Sequence, residues 1–151
     1  MNVTYGRGYV YAIQYHIVWC VKYRKKIITK AIEARLSEIL NDLAHDNGFS
    51  ISEFYTDKDH VHILVECSPQ HYIPDMLKAM KGVSARFIMK SFPELREQLW
   101  GGHLWNPSYF VATVSENTET QIREYIQKQK EKWFDMEKAF KFRIYPNKTQ
   151  Q

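Results

Sequence analysis

The sequence predicts an α+β domain laid out in the order β-α-β-β-α-β, with one further helix behind it. Three observations carry this. A run rich in β-branched and aromatic residues near the N-terminus is followed by a helical stripe of apolar residues. The segment His60-Val-His-Ile-Leu-Val-Glu66 alternates, and only the short polar turn Asp57-Lys-Asp59 separates it from the segment before, as in a hairpin. A second helical stripe then leads to another strand-like segment. This is the split-βαβ, ferredoxin-like (RRM-like) pattern: an antiparallel sheet with its helices on one face.

Each element can be justified in turn. Tyr9 to Lys22 holds Tyr9, Val10, Tyr11, Ile13, Tyr15, Ile17, Val18, Trp19 and Val21, so both faces carry apolar groups, as in a central strand covered on both sides. Ala31 to Asp46 places Ile32, Leu36, Ile39, Leu40 and Leu43 on one helical face, with Gly48 as the stop. Phe49 to Thr56 reads as a strand with fair alternation, and His60 to Glu66 as its hairpin partner. A second helix is expected from Pro74 to Lys90, with the stripe Ile73, Met76, Leu77, Met80, Val83 and Phe87, and Pro93 beyond its end. Glu94 to Ser108 looks irregular, Tyr109 to Val114 is a fourth strand, and a third helix runs from about Thr118 to Glu137.

With 151 residues the chain has the length of one domain, drawn as 1–140 with a basic tail at 141–151. The 44% hydrophobic and 25% charged content excludes a disordered chain, and no run of about 18 apolar residues signals a membrane span. No basic-then-apolar leader opens the sequence, so a cytoplasmic protein is expected. Cys20 and Cys67 form no CxxC pair and read as buried free thiols. A net charge of +4 says little, but its distribution says more. Lys22, Arg24, Lys25 and Lys26 cluster around Tyr23, and aromatics make up 15% of the chain. Cations neutralise phosphates and aromatic faces stack on unpaired bases, a combination suited to single-stranded nucleic acid; a solvated basic face over an aromatic core has the same composition.

Alternation in the third strand puts Val61, Ile63 and Val65 on the helix-covered face, so His60, His62 and Leu64 point to the other. Two neutral imidazoles side by side make half of a metal site, although paired surface histidines are also common. On the last helix, Ile122, Ile126 and Trp133 form the apolar stripe, with Gln129 in its middle and Tyr125 at its edge. A polar amide on a buried face needs a partner. If this helix crosses the open sheet face, Gln129 could reach the histidine pair and leave the phenol of Tyr125 nearby; a core Gln satisfied by backbone is the plainer alternative. Imidazole and oxygen donors suit Mg²⁺ or Mn²⁺, and no cysteine cluster favours zinc. Such an ion could polarise a scissile phosphate while a phenol attacks it.

Tyr15-His-Ile-Val-Trp-Cys20 with Lys22-Tyr-Arg24, Asp59-His-Val-His-Ile-Leu-Val-Glu66, Lys81-Gly82, Leu104-Trp-Asn-Pro-Ser-Tyr-Phe-Val-Ala-Thr-Val114 and Tyr125-Ile-Gln-Lys-Gln129 stand in order along the chain. Together they resemble the TnpA-like single-tyrosine transposases of bacterial and archaeal insertion sequences, members of the HUH superfamily. The resemblance spans roughly residues 5 to 135. It implies that His60 and His62 are paired metal ligands with Gln129 as the third, and that Tyr125 is the nucleophile, forming a 5′-phosphotyrosine and freeing a 3′-hydroxyl. It also implies a homodimer that binds single-stranded DNA hairpins at the element's ends. Two departures stand out: Asp57-Lys58-Asp59 where a Met-Pro-Asp turn is usual, and Ser115 where Gly is common.

Lys22, Arg24, Lys25, Lys26, Lys81 and Arg86 are the candidate DNA contacts. His16 could support the site from the neighbouring strand, His103 could line a DNA-facing loop, and His45 and His71 look like ordinary exposed residues. Two rival functions remain open at this level: a non-catalytic or domesticated hairpin-binding protein, and a metal-dependent hydrolase that uses water.

Overall fold

A computed structural model describes residues 13–114 and 122–131, together with the backbone of 4–6 and 9–11. Two short strands, β1 (Thr4–Gly6) and β2 (Tyr9–Tyr11), pair with each other. The main sheet holds β3 (Gln14–Cys20), β4 (Ser50–Asp57), β5 (His60–Glu66) and β6 (Phe110–Thr113) in the order β4-β5-β3-β6, every pair antiparallel. Helices α1 (Lys30–Asp46) and α2 (Ile73–Ser91) connect the strands, and a short α3 (Leu95–Gln98) follows α2. Residues 122–131 form a last helix, α4. The split-βαβ reading therefore holds: β3 and β4, joined through α1, leave room for β5 between them.

The first strand departs from expectation. Tyr9 to Lys22 is not one strand. Its first part belongs to the separate β1–β2 ribbon, and β3 starts at Gln14, where pairing with Glu66 of β5 begins. The run also stops before Lys22. Val21 makes an isolated bridge to Trp105, after which Tyr23 (φ 60) and Arg24 (φ 54) take the left-handed conformation and turn the chain. The other elements end close to the sequence reading. Thr29 caps α1 by accepting from the Ile32 amide, and Gly48 (φ +77) supplies the left-handed exit.

The core lies between the sheet and the α1–α2 layer. Ile17, Trp19, Val61, Ile63 and Val65 meet Leu36, Leu40, Leu77, Met80 and Ile88, all of them buried. On the opposite face the register sets Val18 beside His62 and Cys20 beside His60. Val18 and Cys20 are also fully buried, and α4 packs on Phe110, the β6 neighbour of Val18. Ile122 and Gln129 of α4 are buried and Tyr125 and Ile126 half-buried, so the expected stripe faces the sheet; Trp133 and the 141–151 tail lie outside the described residues. Among the described residues no helix is long and apolar enough to cross a membrane.

Candidate active site

Alternation along β5 gives the site its first two groups. Val61, Ile63 and Val65 are buried on the core side, while His60 and His62 stand half-buried on the opposite face. Each ring has a partner of a different kind. His60 Nδ1 lies 2.9 Å from Asp59 Oδ1, and a carboxylate can only accept, so Nδ1 carries the proton and the Nε2 lone pair remains open. His62 Nε2 lies 2.9 Å from His16 Nδ1. For two neutral rings one must donate and the other accept; with His62 as donor its Nδ1 lone pair stays available. Burial first, then the neighbouring His16 and His60, pushes the His62 pKa down, which keeps the ring in the uncharged form that can bind a cation. His16, weighed from sequence as a support for the site, is thus in direct contact with one of the two histidines.

Helix α4 brings the other two groups. Tyr125 stacks at a tilt on Phe110, with ring centroids 5.4 Å apart, and its hydroxyl is 3.0 Å from Ser108 Oγ. Burial raises the phenol pKa, opposed by the Ser108 hydrogen bond, so the group is neutral at rest. Gln129 Oε1 accepts from Asn106 Nδ2 at 3.3 Å. The buried amide therefore has a side-chain partner, and its oxygen retains a second lone pair. Asn106 and Ser108 sit on the turn that leads into β6. That turn is held from behind by Lys81, whose ammonium donates to the carbonyls of Asn106 at 2.6 Å and Ser108 at 3.1 Å.

Arg24 closes the arrangement. Its Nε and Nη2 donate to Asp59 Oδ2 at 2.9 and 2.8 Å, and its Nη1 donates to the Ile126 carbonyl of α4 at 2.7 Å. Asp59 is ionised: its pKa lies below the ordinary value because the bonds to His60 and Arg24 outweigh the opposing effect of burial.

The candidate DNA contacts divide. Lys25, Lys26 and Arg86 are exposed, and Lys22 is half-buried over the Tyr23 ring. Arg24 and Lys81 differ from expectation: the Arg24 side chain is 9% exposed and ion-paired, and the Lys81 ammonium is bound to two carbonyls, so both charges are used within the fold. His103 and His45 are exposed. His71 is not an ordinary exposed residue, since its two ring nitrogens bind Ser68 and the Asn47 carbonyl. Sequence reading gave no role to Asp59, Asn106 or Ser108. Asp59 could have been suspected from its place beside His60, whereas Asn106 and Ser108 become visible only once α4 is docked.

Among the described residues, Asp57, Asp59 and His60 form a group able to hold a metal ion, with ligand atoms within 4.8 Å of one another. Both Asp59 oxygens are already engaged, by His60 and by Arg24, so Asp59 serves His60 better than it would serve an ion.

Residues 9–129 match the family described as "Transposase IS200 like". The chain belongs to this family of TnpA-like transposases. The transposase is 50% identical over 132 residues to the ISDra2 transposase TnpA of Deinococcus radiodurans, covering 87% of this chain and 94% of that one. It is 30% identical over 118 residues to the transposase for insertion sequence element IS200 of Salmonella typhimurium, covering 78% and 77% of the two chains. A crystal structure from Deinococcus radiodurans R1, assigned as a transposase, superposes with a TM-score of 0.80 at 47% identity over 83% of this chain and 97% of that one. A REP-associated tyrosine transposase bound to a REP hairpin shares the fold, with a TM-score of 0.51 at 12% identity over 82% of this chain and 68% of its own. The family makes this chain a transposase, a DNA strand-transferring enzyme.

Proposed function

We propose that the transposase cleaves and rejoins single-stranded DNA at the ends of an insertion sequence, with Tyr125 as nucleophile and His60, His62 and Gln129 as the ligands of one divalent ion. The observation that supports this most is the stacking of Tyr125 on Phe110, which lies in register with Val18, itself in register with His62. One turn of α4 carries both that phenol and a buried amide oxygen.

The donor set fits Mg²⁺ or Mn²⁺: an imidazole with its far nitrogen fixed by a carboxylate, a second imidazole kept neutral by its surroundings, and an amide oxygen. Bound among them, the ion would polarise the scissile phosphate and offset its developing charge. The chain's own groups do the rest. Ser108 and Phe110 hold the phenol of Tyr125 in place. As its proton passes to solvent, the phenolate oxygen attacks phosphorus. The new oxygen–phosphorus bond forms as the bond to the 3′ oxygen breaks, and that oxygen takes up a proton from solvent, giving a 5′-phosphotyrosine and a free 3′-hydroxyl. A strand's 3′-hydroxyl reverses the step, so resealing needs no ATP. The exposed Lys25, Lys26 and Arg86, with Lys22, are the phosphate contacts of this proposal, and a DNA hairpin in a homodimer is its substrate complex.

The test is a denaturing gel. The transposase is mixed with labelled single-stranded DNA from the flanks of its own gene and Mg²⁺ or Mn²⁺, and compared with Tyr125→Phe. A covalent protein–DNA band that Tyr125→Phe loses by on the order of 10³-fold or more, with hairpin binding intact, is the expected result. Cleavage that survives the substitution would point to attack by water. Hairpin binding with no adduct under either ion would leave a binding module.

A further inference from the structure

Arg24 joins two parts of the site. Its guanidinium donates to Asp59 through Nε and Nη2 and to the Ile126 carbonyl through Nη1. Asp59 offers its other oxygen to His60 Nδ1. The chain of contacts thus runs from the residue after Tyr125 to a proposed metal ligand through a single cation and a single carboxylate. Both side chains are largely removed from solvent, 9% exposed for Arg24 and 13% for Asp59. A backbone carbonyl inside a helix already accepts from the amide four residues on. Ile126 therefore does not need Arg24 for its own helix, and the contact serves to fix α4 against the sheet.

The backbone around Arg24 points the same way. Tyr23 and Arg24 both sit at positive φ, a conformation that non-glycine residues adopt only when the surroundings require it. The turn is held by Lys22 N to the Leu104 carbonyl at 2.8 Å and Val21 N to the Asp59 carbonyl at 2.9 Å. These bonds aim the guanidinium fork inward, towards one carboxylate and one carbonyl, and away from the exposed Lys25 and Lys26.

We infer that Arg24 is a positioning residue that couples docking of the tyrosine helix to the metal-binding state of His60. The inference rests on the reading of His60 as a metal ligand. An imidazole that gives its Nε2 lone pair to a cation becomes a stronger donor at Nδ1. It then draws Asp59 in, and the Asp59–Arg24 pair sets the position from which Nη1 reaches Ile126. Coupling between two sites is reciprocal, so an ion at His60 tightens α4, and a docked α4 raises affinity for the ion. Ion binding and presentation of the nucleophile then occur together.

The test uses the full chain and Mn²⁺ alone, without DNA. Calorimetry gives ion affinity, and hydrogen exchange of the amides in 122–131, with and without saturating Mn²⁺, gives docking. Because Gln129 is itself a proposed ligand on this helix, the comparison is made in Gln129→Ala, where Mn²⁺ bound at His60 and His62 still slows exchange of the helix about 5-fold or more through Arg24. Arg24→Lys keeps a charge for Asp59, and with it the fold, but one ammonium lacks the fork that spans carboxylate and carbonyl. Added to Gln129→Ala, it removes the Mn²⁺-dependent slowing and weakens Mn²⁺ binding by about the same factor, as reciprocity requires, a pattern that a purely structural salt bridge would not give. Asp59→Asn weakens Mn²⁺ binding about 10-fold or more.

Two results overturn the coupling while leaving the metal site intact. One is Mn²⁺ that depends on His60 for binding but leaves exchange of the helix unchanged in Gln129→Ala. The other is full Mn²⁺-dependent protection when Arg24→Lys is added to Gln129→Ala. If His60→Ala binds Mn²⁺ as tightly as wild type, the ligand assignment falls first and the coupling with it.

Discussion

Along β5, Val61, Ile63 and Val65 face the core with α1 and α2, and His60, His62 and Leu64 point to the opposite face of the sheet. The two sets interleave residue by residue in one strand, but different physics holds each. The core-facing side chains are buried by shape and apolarity, and any neighbour of suitable volume will serve them. The histidines are placed by named atoms: Asp59 Oδ1 for His60 and His16 Nδ1 for His62. Burial is therefore tolerant on one face, whereas the other face depends on pairs that a single substitution can undo.

The contrast gives opposite results at adjacent positions, and this is the largest effect expected. His62→Ala should weaken Mn²⁺ binding by more than the roughly 10–100-fold typical of substitutions behind a metal ligand, and should abolish covalent adduct, while the melting temperature stays near wild type. Ile63→Ala, one residue on, should lower stability by about 2–5 kcal/mol, with Mn²⁺ affinity of the folded fraction unchanged. Calorimetric Mn²⁺ titration and urea unfolding of both variants decide it. If both lost stability alike, the histidine face would be another piece of core.

The same difference explains what could be read from the sequence. The alternation of His60 to Glu66 is a local, period-two pattern, and both the strand and its faces followed from it. The stripes of α1 and α2 were legible for the same reason. The long apolar run from Tyr9 to Lys22 misled because apolar content marks a strand without marking its partner. Gly6-Arg-Gly8 ahead of Tyr9 was the available sign that a separate hairpin precedes β3. Tyr125 and Gln129 stood out because an amide in an apolar stripe is anomalous wherever the helix packs. Asn106, Ser108 and Arg24 carried no such sign. Their meaning depends on contacts 17 to 102 residues away in the chain, which only the tertiary structure provides. Arg24 looked like one more cation in a basic run until its partners were known.

A smaller effect is expected where the polar face touches the nucleophile through one neutral hydrogen bond. Ser108→Ala removes the bond to Tyr125 and leaves the Phe110 contact in place. A bond of this kind contributes about 1 kcal/mol, so adduct formation should slow about 5-fold with hairpin affinity unchanged. Single-turnover rates at pH 7 test this, and an unchanged rate would mean that the Phe110 contact alone holds the ring.

The smallest effect concerns Lys81, where the two regions meet: its backbone belongs to α2, and its ammonium holds the turn behind Asn106 and Ser108. Burial brings its pKa down from 10.5 to about 8, and the neighbouring Cys20 opposes that shift. Below about 8 the folded and unfolded chains both carry this proton, and the folded state bears the full penalty of a partly desolvated charge. Between about 8 and 10.5 the folded chain has released the proton and the unfolded chain has not, so Lys81 makes stability rise with pH across that window. Cys20 works the other way. Burial raises its thiol from 9.0 to about 11, so the folded chain keeps a proton that the unfolded chain loses, and stability falls with pH there. Comparison with Lys81→Met separates the two, because both chains retain Cys20. The melting temperature of wild type relative to Lys81→Met should improve between pH 7 and pH 9.5, by a modest amount since the amine is only partly buried; a constant difference would mean that the charge on Lys81 is not penalised. Cleavage should hardly follow the same titration. A neutral amine still donates N–H bonds to the two carbonyls, so the turn that carries Asn106 and Ser108 keeps its clasp after the charge has gone.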